Sequence, residues 1–591
     1  MRFLPAVKQL IMQKVNLTKK ARKLLFPAVF MIALASLGML TISATRDFRL
    51  SKNMDIFFSM IREISIFYVE DTDPGKLIEK GISGVLEGLD PYTSYIPESE
   101  KENYATMTTG RYGGVGALIR QVGDHVVIIE PYEGFPAQEA GLRSGDIITE
   151  INGNNVESLL VNEISELLKG QPGSTISITV RRDPENGRIT KEMAREEIKI
   201  NNVTWAGIVR DGVGYIQLNG FTENAHREVR DAVNDLRRNH GMTSLILDVR
   251  ANPGGLLMES VHIANLFVDK GEEIVSTRGK VKQWDHTYRA RNNPLDQDIP
   301  LAILTGRSSA SAAEIVAGAV QDLDRGVLVG QRTFGKGLIQ ATRQLSYDAQ
   351  LKITTARYYT PSGRSIQAMD FTNDGGSGAG GGSPNNHFRT RNGRPVFEGG
   401  GIMPDVLVLE DRPSAILVNL YTKNHIFNYA TLYASRTQQI PPPDTFELSE
   451  EDYAEFLEYL KENEFDYQTQ TEAQLQQLVR TARQENYFES TDELFNELDI
   501  KLKEKKSRDF EVYRDEIKSL LREEIVSRYY YQKGRVEASL RGDPYVERAV
   551  EILQNPALYN SILDGSIAAQ NDAETIPQGH SGYTARPTAH I

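Results

Sequence analysis

The stretch "PLAILTGRSSASAAEIVAGAV" (Pro300–Val320) has the pattern of one strand, one turn and one helix. Its apolar beginning predicts a buried strand, and the segment from Ala312 predicts a helix. The turn between them carries Ser308, Ser309 and Ser311. A serine at a helix start suits nucleophilic attack, because the free N–H groups and the positive dipole end there can stabilise an oxyanion. Serines also cap helices, so the turn alone leaves a structural role open.

Strands and helices alternate on both sides of this stretch, which indicates an α/β core over residues 201–410. Strands are predicted in "VGYIQLNGF" (213–221), "SLILDVR" (244–250), "GVLVGQRTF" (326–334), "LKITTARYYTP" (351–361) and "GIMPDVLV" (401–408). Helices are predicted over residues 224–239 and 254–268. A low-complexity, glycine-rich segment over residues 373–386 predicts a flexible excursion from this core.

The regions that flank the core have their own patterns. Apolar residues at helical spacing predict a helical region over residues 51–103. Residues 104–200 predict a small β-rich domain with two helices, one of them over Val161–Leu168, and an Asn-Gly hairpin turn. Residues 411–565 are charged and predicted helical, and residues 566–591 are predicted disordered.

Composition excludes several classes of protein. A chain of 591 residues predicts about three to five domains. Its net charge of −13 argues against coating of nucleic acid, which needs basic patches. The sequence has no cysteine, which excludes disulfides, thiolate metal ligands and a thiol nucleophile. No histidine lies in a compact motif; His262 and His240 are among those upstream of the serine turn.

The N-terminal 50 residues predict a membrane-related segment. A basic cluster at residues 19–23 precedes Leu24–Ala44, a run of 21 residues without a charge. We favour a retained membrane anchor over a removed signal peptide, although Ser43 and Ala44 are small enough for cleavage. Positive charge before the span predicts that most of the chain is extracytoplasmic. A buried cytosolic helix is the remaining alternative.

Two further motifs could serve the serine turn. In "QRTFGKGLIQ" (Gln331–Gln340), Lys336 lies between two glycines. A lysine with a free pKa of about 10.4 becomes a base near neutral pH when burial or a helix N-terminus disfavours its charge. A solvated turn lysine is the alternative. In "LDVRANPGGLL" (Leu247–Leu257) the glycines let backbone N–H groups face a ligand, although an ordinary α/β turn has the same pattern.

Taken together, "SASAAEI" (Ser309–Ile315), "VGQRTFGKGLIQ" and "DVRANPGG" resemble the carboxy-terminal processing (tail-specific) serine protease family over roughly residues 55–410. The resemblance implies that Ser311 is the nucleophile, that Glu314 is its partner and that Lys336 is the general base. It also implies an α/β core of the crotonase-like or ClpP-like type. Many members have a serine where this chain has Ala313, a neighbour of the nucleophile, and we expect activity to survive that difference.

The same resemblance assigns supporting roles around this pair. Gln340 is implied to position the lysine, and the backbone N–H groups of Gly255 and Ala312 are implied to form the oxyanion hole. Asp322 and Thr333 fall at positions where the family has supporting polar residues. No metal ion or other cofactor is implied, because a Ser–Lys pair needs neither.

The β-rich domain resembles a PDZ domain. Its "GGVG" turn, formed by Gly113, Gly114, Val115 and Gly116, can offer backbone N–H groups to the terminal carboxylate of a peptide. The strand that follows can pair with the peptide backbone. A domain that captures carboxylates beside a peptidase predicts substrates chosen by their free C-terminal tails.

We therefore expect a multidomain α+β protein that is a periplasmic, membrane-associated serine endopeptidase. Its predicted parts are a signal or anchor (1–50), a helical region (51–103), a PDZ domain (104–200), a protease core (201–410), a helical C-terminal region (411–565) and a tail (566–591). The helical C-terminal region serves packing or self-association, or docks an adaptor. A catalytically latent PDZ scaffold and a hydrolase of non-protein acyl substrates are the rival interpretations.

Overall fold

The computed structural model describes residues 48–182, 187–370, 378–379, 387–409 and 413–566. They fall into two compact units, which divide between Pro91 and Tyr92. The predicted anchor Leu24–Ala44, most of the glycine-rich segment over 373–386 and nearly all of the predicted tail lie outside the described residues. Within the described ranges, no helix combines the length and the apolar character needed to cross a membrane.

The first unit contains two helices, α1 over residues 48–67 and α2 (Pro74–Glu87). Asp73 begins α2 by accepting hydrogen bonds from the backbone N–H groups of Gly75 and Lys76, and Pro74 occupies the first turn, where its missing N–H is not needed. These helices agree with the helical pattern of the sequence.

The β-rich domain is an antiparallel sheet with two short helices. Along the chain, one helix precedes strand β5 (Ile147–Ile151) and the other follows it. Its main sheet has the order β3-β4-β5-β7-β8, with β6 beside β5, and β2 pairs with β9 where the chain enters and leaves the domain. Asn152 and Gly153 have φ values of 52° and 77°, as the predicted Asn-Gly hairpin turn requires. The elements are α3 (Lys101–Thr109), β2 (Arg111–Gly114), β3 (Ala117–Val122), β4 (His125–Pro131), α4 (Pro136–Glu139), β5 (Ile147–Ile151), β6 (Asn154–Asn155), α5 (Val161–Leu168), β7 (Thr175–Arg182), β8 (Gly187–Ala194) and β9 (Glu196–Lys199).

The α/β core is built on a six-stranded sheet in the order β10-β11-β12-β15-β16-β23. All neighbours in it are parallel except β10 and β11. Helices α6, α7 and α8 pack on one face, and every residue of α8 is buried, which explains its alanine- and glycine-rich sequence. The elements are β10 (Val203–Arg210), β11 (Val213–Leu218), α6 (Ala225–Asn239), β12 (Ser244–Asp248), α7 (Leu257–Ala264), β15 (Leu301–Thr305), α8 (Ala312–Asp322), β16 (Val327–Gly330) and β23 (Val406–Leu407).

The opposite face of this sheet is covered by the last two helices, α16 (Pro544–Leu553) and α17 (Pro556–Leu563). Tyr545 and Val550 of α16 are buried against the sheet residues Tyr215 and Ile246. The sequence predicts these helices within the C-terminal region, but in the structure they cover the sheet of the α/β core.

A second sheet joins the segment before the β-rich domain to the core. Strand β1 (Ser94–Ile96), in the region predicted helical, pairs with β18 (Gln350–Tyr359). Strand β18 also pairs with β17 and β13, and β13 pairs with β14. The remaining strands are β13 (Glu273–Gly279), β14 (His286–Arg289), β17 (Leu338–Gln344) and β18 (Gln350–Tyr359), with two small ribbons, β19 (Met369–Asp370) with β20 (Gly378–Ala379) and β21 (His387–Arg389) with β22 (Pro395–Phe397).

The helical C-terminal region has its own apolar core and contacts the β-rich domain. The guanidinium carbon of Arg120, on β3, lies 5.6 Å from the centroid of the Phe427 ring. Gln138 donates a hydrogen bond to the Tyr531 hydroxyl. Helix α15 is broken at Tyr531, which has φ 53° and ψ −156°. The helices are α9 (Ala415–Thr422), α10 (His425–Arg436), α11 (Glu450–Glu462), α12 (Gln470–Gln484), α13 (Asp492–Lys506), α14 (Asp509–Val512) and α15 (Arg514–Ser539).

Candidate active site

Ser311 occupies the sharp turn between β15 and α8. It is the residue that precedes the first turn of α8, and its φ of 53° and ψ of −111° lie outside the regions that L-residues favour. Its backbone N–H donates to Glu314 Oε2 at 2.9 Å. A strained residue held at a helix start is typical of a functional position rather than of an ordinary cap.

The structure separates the three serines of the turn. Ser309 is fully buried, and its hydroxyl donates to Val249 O at 2.6 Å and accepts from Gly306 N at 2.9 Å. Those bonds give Ser309 a structural role in joining the ends of β12 and β15. Ser308 is exposed, whereas Ser311 is half-buried beside the other motifs.

Glu314 joins the serine turn to the loop that carries Lys336. Its Oε1 accepts from Thr333 Oγ1 at 2.5 Å and from Gly335 N at 2.8 Å, and its Oε2 accepts from Ser311 N and Lys336 N, each at 2.9 Å. The carboxyl is completely buried. Because one oxygen binds both backbone N–H groups, the positions of Ser311 and Lys336 are fixed relative to each other.

The lysine is held by its backbone as well as by its side chain. The Tyr358 hydroxyl donates to Lys336 O at 2.5 Å, and it also lies within donating distance of Ser311 O, at 3.2 Å. Lys336 Nζ lies 4.6 Å from the centroid of the Tyr92 ring. Sequence reasoning missed both tyrosines; the strand pattern of 351–361 contains Tyr358, but nothing in it distinguishes Tyr358 from Tyr359.

The other polar residues that the sequence predicts for the site have different locations relative to Ser311 and Lys336. Thr333 touches Glu314 directly. Gln340 lies on β17, where its Nε2 donates to Thr354 Oγ1 on β18 at 3.1 Å. Asp322 is buried at the far end of α8, where it accepts from Arg364 at 2.7 Å, so any support from it reaches Ser311 through the helix.

The glycine turn after β12 packs directly against the serine turn. Asn252, which is buried, folds it by accepting from Gly254 N at 2.8 Å. A Cβ on Gly254 would lie 2.8 Å from Ser311 Cβ and 3.0 Å from Ala312 N. Among the described residues, the backbone N–H groups of Gly255 and Ala312 have no hydrogen-bond acceptor. An oxyanion hole needs backbone donors that are unpaired in this way.

We expect Gly254→Ala to destabilise the core more than Gly271→Ala. The two glycines have similar φ values, +104° and +94°, so each alanine has a backbone cost of about 1–3 kcal/mol. Only at Gly254 would the new Cβ meet other atoms within 4 Å, which adds about 1–3 kcal/mol of overpacking. Calorimetric melting of both variants measures the difference, and equal melting temperatures would show that this turn is not tightly packed.

Burial raises the pKa of Glu314 to about 7, against the hydrogen bonds from Thr333, Lys336, Gly335 and Ser311, which lower it. The folded protein therefore holds this proton more tightly than the unfolded chain, whose glutamate has a pKa near 4.5. The resulting stability is complete below about pH 4.5 and is lost as the pH rises through about 7. It amounts to roughly 3 kcal/mol at 1.36 kcal/mol per pKa unit.

We expect this loss to appear as a narrowing difference in melting temperature between the wild-type protein and Glu314→Gln. The glutamine does not ionise, so the other titrating groups cancel in the comparison. The advantage of the wild type should shrink steadily between pH 4.5 and 8. A difference independent of pH would mean that Glu314 titrates in the folded protein as it does in the unfolded chain.

In the β-rich domain, the predicted carboxylate turn is only partly free. Gly113 and Gly114 belong to β2, where they pair with Glu197 and Glu196 of β9. Val115 and Gly116 follow the strand, and no acceptor for their N–H groups occurs in the described part of the chain. Strand β3 begins directly after them and lies at the edge of its sheet, so its outer side can pair with a peptide.

Comparison with known proteins gives three matches to family models. The model described as "Peptidase family S41" matches residues 212–376, that described as "PDZ domain" matches residues 127–182, and that described as "Probable PDZ-protease, C-terminal helical domain" matches residues 416–553.

Individual proteins match over longer stretches. A "Carboxy-terminal-processing protease" of Bartonella bacilliformis is 33% identical over 358 residues, which are 60% of this chain and 82% of that protein. A "Probable CtpA-like serine protease" of Staphylococcus aureus is 30% identical over 326 residues, 54% of this chain and 64% of that protein. The solved structure of a photosystem II D1 C-terminal processing protease is 30% identical, covers 53% of this chain and 89% of its own, and has a TM-score of 0.31.

Proposed function

This chain belongs to the carboxy-terminal processing serine protease family and carries a PDZ domain, and from that premise we propose that it is an endopeptidase with a Ser311–Lys336 catalytic pair. One observation carries the assignment to these residues. A single buried carboxylate, Glu314, accepts hydrogen bonds from the backbone of both. The core is proposed to be of the crotonase-like or ClpP-like type.

In the proposed reaction, neutral Lys336 takes the proton of the Ser311 hydroxyl as Oγ attacks the peptide carbonyl carbon. The carbonyl oxygen becomes an oxyanion, stabilised by the N–H groups of Gly255 and Ala312. When the C–N bond breaks, Lys336 gives its proton to the leaving amine, and an acyl-enzyme remains on Ser311. Water then hydrolyses the ester, with Lys336 again as the base.

The position of Lys336 Nζ supports a resting form that is not yet competent. A cation over the face of an aromatic ring is stabilised by about 0.5–2 kcal/mol, and a neutral amine loses that attraction. The Tyr92 ring lies 4.6 Å from Nζ, so this attraction has to be given up when Lys336 acts as a neutral base. This contact favours the second candidate function, a latent enzyme that needs a bound tail or adaptor before it cleaves.

We also propose that substrates are selected by a free C-terminal carboxylate bound at the N–H groups of Val115 and Gly116. The peptide would extend along the edge strand β3 as an additional strand. The predicted N-terminal segment leads us to propose that the substrates are extracytoplasmic proteins. The domain boundaries given by the sequence analysis are likewise proposals.

We expect a peptide with a free carboxylate to be cleaved with a kcat/KM about 10- to 100-fold higher than its C-terminally amidated form. That range corresponds to loss of hydrogen bonds to a charged group. The two peptides should share the same scissile sequence, so that only the tail differs. Equal values would remove the tail from recognition, and turnover of a simple acyl ester but of neither peptide would favour a non-protein substrate.

A further inference from the structure

A cluster of three metal-ligand side chains lies outside the proposed catalytic pair. His226 is the second residue of α6, and Glu259 and His262 stand three residues apart on α7. Each offers one ligand atom, and all three atoms lie within 4.8 Å of one another. Residues at positions i and i+3 share a helix face, and a Glu-x-x-His pair on one helix is a recurrent metal-binding arrangement.

From this geometry we propose that His226, Glu259 and His262 form a binding site for a divalent transition metal of the zinc type. Two imidazole nitrogens and one carboxylate oxygen are ligands that Zn²⁺ accepts in three-ligand sites, with water in the fourth position. Harder cations such as Mg²⁺ and Ca²⁺ prefer oxygen ligands alone, so they fit this set poorly.

The simpler interpretation is that Glu259 only caps a helix. Its Oε2 accepts from His226 N at 2.9 Å, and Asn224, which precedes α6, provides no side-chain cap. That interpretation does not involve His262, which lies beside both residues. Its ring stands edge-on to that of His226 with centroids 4.8 Å apart, and one of its ring nitrogens lies within 4.8 Å of the ligand atoms of His226 and Glu259.

The surroundings suit a metal ion that enters from solvent. Glu259 is 8% exposed and His226 is half-buried, while His262 is open to solvent. Glu259 Oε2 lies 2.7 Å from His226 Nδ1, and a metal ion would replace the proton that joins them. The Arg291 charge near His262 works against a cation, so we expect binding weaker than at a closed structural zinc site.

Binding at this site would act on the glycine turn of the proposed catalytic centre. Phe221, shortly before α6, donates to Gly254 O and accepts from Leu256 N at 2.7 Å. Helix α7 begins at the next residue, Leu257. An ion that joins α6 to α7 therefore clamps the segments on both sides of Gly254 and Gly255. This consequence rests on the proposed function, whereas metal binding itself does not.

The test is titration of the tag-free Ser311→Ala protein with Zn²⁺ by calorimetry, which needs no peptidase activity. We expect one ion per chain, and His262→Ala in the same background should weaken binding at least about tenfold. The matched control is His240→Ala, an exposed histidine paired with Asp235, which should bind as the parent does. Co²⁺ bound to the parent should give the visible absorption bands of an ion with nitrogen and oxygen ligands. This measurement uses the parent protein alone, so it does not depend on whether the other variants fold.

Absence of saturable Zn²⁺ binding in the parent protein would overturn the proposal. So would binding that survives His262→Ala in full, or that is lost equally in His240→Ala. Glu259→Gln keeps an oxygen that can accept from His226 N but removes the charge, and it should also weaken binding at least about tenfold. If Glu259→Gln and His262→Ala both bind as the parent does, the cluster is only a helix cap.

Discussion

Ser311→Ala is expected to lower kcat/KM for an unfolded reporter with an apolar C-terminal tail by roughly 10⁴- to 10⁶-fold, the loss seen when a nucleophile is removed from a covalent mechanism. The variant removes only the hydroxyl oxygen. The backbone N–H of residue 311 keeps its bond to Glu314, so the fold should persist. Cleavage is measured by loss of intact reporter, and the fold by circular dichroism and thermal melting.

Ser308→Ala is the matched control for this experiment. Ser308 lies in the same turn but is exposed, and it should retain cleavage close to that of the wild type. Ser309→Ala is a poorer control because it removes two buried hydrogen bonds. Full activity of Ser311→Ala would refute the assignment of the nucleophile, and inactivity of Ser308→Ala would move it to that serine.

Lys336→Arg is expected to lower kcat/KM by at least roughly 10³-fold at every pH, which is the contribution of a general base acting with its nucleophile. Arginine keeps the positive charge and most of the side-chain volume, but it does not lose its proton in proteins. A structural role for the charge would therefore survive the substitution, whereas a role as base would not.

The control for this prediction is Lys352→Arg. Lys352 is half-buried on β18, and burial lowers the pKa of its ammonium group, so it is an alternative candidate for the base. We expect Lys352→Arg to cleave like the wild type. Loss of activity in Lys352→Arg with retention in Lys336→Arg would transfer the base to Lys352.

Local patterns were sufficient for the elements that position the site. The apolar run before Gly306 and the alanine-rich run after Ser311 predict β15 and α8, and both are observed. Helix α5 has the predicted bounds, Val161–Leu168. Helix α7 is shorter than the segment over 254–268 predicted, because the glycine turn extends to Leu256 before the helix begins.

Long-range contacts could not be predicted from those patterns. The separation of 25 positions between Ser311 and Lys336 does not indicate that one buried carboxylate holds both backbones. Strand periodicity places Tyr358 and Tyr359 on opposite faces of β18 but does not say which face is buried. The apolar faces of α16 and α17 are visible in the sequence, whereas the sheet that they cover is identified only by the tertiary structure.

The covalent intermediate tests the Ser311–Lys336 pair most directly. Wild-type protein and Lys336→Arg would be quenched in acid during turnover of a tail-bearing ester substrate and digested with trypsin, and the peptide after Arg307 would be fragmented in a mass spectrometer. That peptide contains all three serines of the turn, so fragmentation locates the acyl group. We predict an acyl group on Ser311 in the wild type and none in Lys336→Arg. An acyl group on Ser308, or equal labelling of both proteins, would contradict the proposed mechanism.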